Sequence, residues 1–343
     1  MSILPGRDKL RTITFLGLPI MGGMLSQSLM NLVDAAMVGT LGSAALAGVG
    51  LGSYVNFMAV ALVMGLGAGV QAMVARRRGE GSTTQLAAPL NEGLLIALAL
   101  AIPLTLIGWF QAANILAFLT QDTAVQEIGT GYFQWRALAI VAVGANFAFR
   151  GYWNGIRQTG MYLQILIIMH VLNVLISYGL IFGRFGLPEM GAEGSGLGTC
   201  IALFIGTGMY VVMTLRNGRK HGFLAARPRS REIRAMLRLS VPNSLQQFFF
   251  ATGITTLFWI VMTLDATALV LTQALLGAGA SRTVMAVNLG NQWLVFLPLA
   301  YLAGPVLGGG LLTIWILQSG YRAVNSVIFA LVWRRKRWTD IRI

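Results

Sequence analysis

Asp34 is a carboxylate set in an apolar run, and Asn31 and Gln27 precede it at spacings of three and four residues. That spacing puts all three on one face of a helix. A charge at the centre of a bilayer-spanning helix costs about 2.5 to 3.5 kcal/mol, so a carboxylate held there needs a proton or a cation and is a candidate for ion chemistry. Of the 11 acidic residues, Asp34 alone lies clearly inside an apolar segment. Asn173 and Ser177, one turn apart in a second such run, offer neutral oxygens that with Asp34 suit Na⁺ coordination or a proton relay. A hydrogen bond between helices is the plainer role for Gln27, Asn31 and Asn173. His170 reads as a buried hydrogen-bonding group. Arg136, near the outer end of its apolar run, reads as a side chain that snorkels to the membrane surface. Cys200, His170 and His221 are the only cysteine and histidines, which leaves no disulfide framework and no cluster with metal-ligand spacing. No Ser/His/Asp, paired-carboxylate or metal arrangement points to an enzyme, and no cofactor is expected.

The elements that must hold these residues are membrane spans. Of 343 residues, 56% are hydrophobic and 10% charged, with mean hydropathy +0.72. A soluble domain carries about a quarter charged residues. The net charge of +14 could suggest nucleic acid as a partner. Placement argues against it, because the basic residues sit between apolar runs long enough to cross a hydrocarbon core. Spans are expected at about 13–37, 46–75, 93–119, 130–149, 161–183, 192–215, 237–264, 283–303 and 309–333. The basic N-terminus leads into a run too long for a signal-peptide core, so the first span is expected to stay uncleaved. Arg76 to Arg78, Arg150, Arg157 and the run from Arg216 to Arg238 place their connections in the cytoplasm, and Arg322 and Arg334 to Arg337 place the C-terminus there too. A cytoplasmic C-terminus requires an even number of crossings. Ala266 to Ala280 is the candidate for a tenth, and it could re-enter, cross, or merge with the seventh span. In the sixth span Gly194, Gly198, Ala202 and Gly206 recur every four residues and form a close-packing face.

A repeat organises the chain. Arg11, Pro19, Leu41, Ala45 and Leu46 meet Arg234, Pro242, Leu264, Ala268 and Leu269 at a shift of 223 residues. Gly155, Thr159 and Met161 meet Gly279, Thr283 and Met285 at a shift of 124, so the second copy is shorter by 99 residues. Both copies begin on the same side, which makes the duplication parallel. The expected fold is an all-α polytopic membrane protein of two parallel-repeat helix bundles, the second incomplete. Its parts are a six-helix bundle over 1–215, a basic cytoplasmic connection over 216–236, and a shortened bundle over 237–343. Pro19 and Pro242 hold matching places in the first and seventh spans and are candidate hinges, since a proline inside a span frees a carbonyl and permits bending.

The segments LPIMGGMLSQSLMNLVDAAMVGTLG, RGYWNGIRQTGMYLQ, HVLNVLISYGLIFGRFGLPEMGAEGSGLGT and SVPNSLQ, with LLGAGASRTVM and WLVFLPLAYLAG, resemble the multidrug and toxic compound extrusion (MATE) transporters of the MOP superfamily. The resemblance implies two bundles facing a central cavity. It also implies efflux of organic, often cationic, compounds by antiport with Na⁺ or H⁺ across the cell inner membrane. Carried over by position, Asp34, Asn173 and Thr199 match a cation site of the first bundle, with Ser177 where some members carry an aspartate. Gln27, Asn31 and Gln246 fall to the substrate cavity. Helices eight, nine and most of ten are the part missing. Two other readings stay open: a shortened remnant that inserts without transporting, and a lipid-linked oligosaccharide flippase, which would line its cavity with more basic residues than Arg136. The expected partners are small organic substrates and the lipid bilayer; a homodimer is left open.

Overall fold

A computed structural model of the chain describes residues 7–81, 84–225, 229–277, 281–303 and 311–335, and within them every regular element is helical. The chain divides into two compact units, 1–251 and 252–343.

The first unit holds α1 (Arg7–Gly39), α2 (Ser43–Gly79), α3 (Ala88–Leu119), α4 (Thr123–Leu138), α5 (Ile140–Gly155), α6 (Thr159–Phe182), α7 (Gly191–Gly218) and the beginning of α8 (Ser230–Gly277). Local chemistry marks the ends. The Asp122 carboxylate accepts from the backbone N–H groups of Ala124 and Val125 (3.0 and 3.2 Å) and so caps α4. Gly183 closes α6 in the left-handed region at φ 63°, a conformation that costs glycine little. The span expected over 130–149 is instead two helices, α4 and α5, separated at Ala139. Thr105 of α3 donates to the Ala137 carbonyl at 2.9 Å, supplying a partner for that carbonyl beside the break.

Small residues set the helix spacing. The Gly194 and Gly198 face of α7 lies on α6: an added Cβ at Gly194 would come 2.7 Å from the Leu180 carbonyl carbon, and one at Gly198 would strike Ser177. On α2, Gly65 and Gly69 lie against Ser240 and Ser244 of α8, on either side of Pro242. The first unit therefore includes the opening turns of α8, with Met236 in its core. That core also holds Phe149, stacked on Tyr210 at 5.5 Å between centroids, together with Trp153 and Phe223. At the end of the unit carrying Arg76 to Arg78, Arg77 pairs with Glu232, and Glu92 is buried beside Glu232. The sequence alone offered no sign of this pair of carboxylates, because 140 residues separate them.

The second unit holds the rest of α8, α9 (Ser281–Gly290), a π-helical turn (Asn291–Phe296), α10 (Leu297–Tyr301) and α11 (Leu311–Arg334). Leu275, Val284 and Phe329 form its small buried cluster. Asn325 joins Asn291 and Asn288 across α11 and the α9 segment at 3.2 and 3.5 Å. Residues 266–277 continue α8, so of the three routes open to that segment the helix takes the merger; 278–280 lie outside the described residues, as do Lys336 and Arg337. Five described helical stretches are long and apolar enough to cross a membrane: Ser43–Gly79, Ala88–Leu119, Thr159–Phe182, Gly191–Gly218 and Thr283–Tyr301.

Candidate functional site

Helices α1 and α6 run parallel in a fixed register. Ser26 Oγ meets His170 Nδ1 at 2.6 Å, 144 residues apart, and Gln27 Oε1 meets His170 Nε2 at 3.3 Å, 143 apart. Gly23 lies against Leu166, and Val38 shares a buried cluster with Ile181, at the same offset. Carried along the pair, this offset sets Asp34 level with Ser177 and one turn from the level of Asn173. Gln27 Oε1 can only accept, so His170 Nε2 is the donor there. His170 is a buried hydrogen-bonding group. Gln27 Nε2 in turn donates to Asn31 Oδ1 at 3.1 Å, one turn nearer Asp34.

Asn173 is held from α7. Its Nδ2 donates to Thr199 Oγ1 at 2.8 Å, and the Thr199 hydroxyl donates to the Ser195 carbonyl at 2.9 Å. The amide is thereby fixed with its oxygen turned away from Thr199. Asp34 Oδ1, Asn173 Oδ1 and Ser177 Oγ are each buried without a hydrogen-bond partner. Buried polar atoms are almost always satisfied. A carboxylate, an amide oxygen and a hydroxyl oxygen on neighbouring levels form a set of hard oxygen donors suited to Na⁺ or a proton. Among the described residues no group of three or more His, Cys, Asp or Glu side chains is placed to hold a metal.

Arg136 departs from the snorkelling expected of it. Asn56, buried in α2, accepts from Arg136 Nη2 at 3.1 Å and donates to the Arg136 carbonyl at 3.2 Å with its amide oxygen facing the guanidinium. The Arg136 charge also acts on Asp34. Its side chain thus turns toward α2, where Asn56 supplies both halves of an amide partner, and its Nε is buried. An asparagine in the apolar run of α2 was the available sequence signal, but spacing gives no pairing between helices. Gln27 and Asn31 are exposed beside the ladder to His170. Gln246 is exposed on α8, and no hydrogen bond among the described residues joins it to this group. Pro19 lies within α1 and Pro242 within α8.

Residues 19–179 match the family model described as MatE. The chain is 26% identical over 327 residues to a probable multidrug resistance protein NorM of Rhizobium meliloti, covering 94% of this chain and 70% of that protein. It is 30% identical over 240 residues to a probable multidrug resistance protein NorM of Agrobacterium fabrum, covering 67% of this chain and 50% of that one. Several further curated relatives are matched over about half their length. Among solved structures, an outward-facing multidrug resistance MATE family transporter of the MOP superfamily superposes with TM-score 0.66 at 19% identity, covering 94% of this chain and 68% of that one. A MOP superfamily transporter from Pyrococcus furiosus gives TM-score 0.67 at 18% identity, over 96% of this chain and 95% of that chain.

Proposed function

The chain belongs to the MATE family, and from that premise we propose that it is a secondary transporter exporting small organic, often cationic, compounds by antiport with Na⁺ or H⁺. The observation that carries the reading is the set of three buried, unpartnered oxygens: Asp34 Oδ1, Asn173 Oδ1 and Ser177 Oγ. Asp34 supplies the charge. Asn173, oriented by Thr199, and Ser177 supply neutral oxygens. A bound cation or proton neutralises Asp34 and favours one arrangement of α1 against its neighbours; its release favours the other, in which substrate occupies the cavity beside Gln27 and Asn31. Gln246 adds a polar group from α8, and Pro19 and Pro242 serve as the bending points. In this reading the protein lies in the inner membrane with the basic end and the C-terminus in the cytoplasm, following the basic connections.

A second reading is favoured by one observation, that the chain spans only about half to 70% of its curated relatives: the shortened second bundle inserts without transporting. One experiment separates the two. Efflux of a fluorescent organic cation is followed in cells expressing this chain, its Asp34→Asn variant, or a version with helices eight to ten restored. Export by the chain and its loss in Asp34→Asn supports the transporter. Export only by the restored version supports the remnant. Dye retention equal to that of empty cells in all three overturns the transporter reading.

A further inference from the structure

The basic end of the first unit encloses a cavity of about 210 Å³ that ion coupling and export leave unused. Four helix ends and a turn frame it. Arg78 comes from the end of α2, Trp153 and Ile156 from the end of α5, Gln158 from the turn after it, Asn217 from the end of α7 and His221 from the 3₁₀ turn that follows.

The chemistry of this wall is one-sided. No Asp or Glu lines the cavity, whereas the guanidinium, the indole and both side-chain amides can donate. Trp153 is fully buried (0% exposed), and its Nε1–H has no acceptor. Neighbouring arginines are paired, Arg76 with Glu80 at 2.9 Å and Arg77 with Glu232, while no ion pair among the described residues engages Arg78.

The wall is also built in advance. The Gln158 N–H donates to the Trp153 carbonyl at 2.9 Å, and the Ala87 N–H donates to the His221 carbonyl at 2.9 Å. Asn91 clamps the turn after α7 from both sides, donating to the Gly222 carbonyl and accepting from the Leu224 N–H, each at 3.0 Å. A preformed, donor-lined cavity with ring and Ile156 surfaces beside it suits a small anion attached to an apolar group.

We propose that this cavity binds a phosphate-bearing anion, with Arg78 as its charge partner and the Trp153 indole N–H as its buried donor. The same chemistry is offered by the headgroup of an anionic phospholipid and by soluble phosphate.

Native mass spectrometry of the full chain in detergent tests this with dioctanoylphosphatidylglycerol, dioctanoylphosphatidylcholine and inorganic phosphate as probes. The phosphatidylglycerol should be retained about fivefold more than the phosphatidylcholine, and Arg78→Gln and Trp153→Phe should each lower its retention by a similar factor. Arg216→Gln, outside the cavity, should change little. Binding of inorganic phosphate, sensitive to Arg78→Gln and exceeding that of the phosphatidylglycerol, would identify the soluble anion as the ligand. Binding of neither anion, or a loss in Arg216→Gln equal to that in Arg78→Gln, would overturn the proposal. Arg78 is exposed, so its variant decides the matter even if Trp153→Phe fails to fold.

Discussion

Asn173 gives its amide N–H to Thr199 Oγ1 at 2.8 Å, and this single bond between α6 and α7 determines which way the Asn173 oxygen faces. Thr199→Val removes the acceptor and lets the amide turn. Interhelical hydrogen bonds within membranes are worth about 0.6 to 2 kcal/mol, and the variant should lose that much stability while Thr199→Ser loses little. Thermal unfolding in detergent measures it. Equal melting of the valine and serine variants would remove the orienting role from Thr199.

Asp34 supplies the only formal negative charge among the three orphaned oxygens. The unmodified chain should therefore melt at a higher temperature in sodium chloride than in choline chloride, or respond to pH alone if a proton is the ligand. Asp34→Asn keeps the shape and removes the charge, and it should abolish either response. A sodium response surviving in Asp34→Asn would place the ion elsewhere.

The Arg136 charge acts on Asp34, and a positive neighbour opposes binding of a second cation. Arg136→Gln can still hydrogen-bond Asn56 but carries no charge. The ion concentration giving half-maximal protection against heat should fall roughly three- to tenfold, the size of a charge effect of up to about one pKa unit. A rise instead would mean that the guanidinium helps to assemble the site.

An alanine scan of two glycines on α2 separates packing from helix propensity. A Cβ at Gly65 would strike the Ser240 carbonyl and the Ser244 N–H of α8, whereas one at Gly50 meets nothing within 4 Å. Gly65→Ala should cost about 1 to 3 kcal/mol by overpacking. Gly50→Ala should be neutral or gain up to about 1 kcal/mol. Guanidinium unfolding of the purified variants compares them, and equal stability would dissolve the proposed close contact of α2 with α8.

Arg77 and Glu232 are paired with side chains 15% and 22% exposed, between the surface and buried limits. Arg77→Gln and Glu232→Gln should each cost about 1 to 3 kcal/mol. The double variant should cost less than their sum, because Glu232→Gln also relieves crowding against Glu92. Strict additivity in the double-mutant cycle would show that the pair carries no coupling.

Periodicity along single helices was sufficient to identify the polar face of Gln27, Asn31 and Asp34 and the small-residue face of α7, since both depend only on repeats of three and four. Charge placement identified the end of the bundle that carries Arg76 to Arg78. What escaped sequence reading depends on two helices at once. Arg136 has an outer-end position that suits snorkelling, yet Asn56 draws it toward α2. Glu92 and Glu232 meet only because α3 and α8 both start at the basic end. The break at Ala139 accompanies a Thr105 hydroxyl from another helix, and no proline or glycine marks the spot. The cavity beside Trp153 is assembled from four helix ends that are distant in the chain.

The constant offset between α1 and α6 restricts how α1 can move. A slide of one turn would carry Gln27 off His170, Val38 off Ile181 and Gly23 off Leu166 in the same instant, with no half-turn position at which substitute partners line up. Gradual creep along the axis therefore has no foothold. The two rods travel together like a plank, or they part cleanly, and any stroke of the first bundle is taken up by bending or swinging.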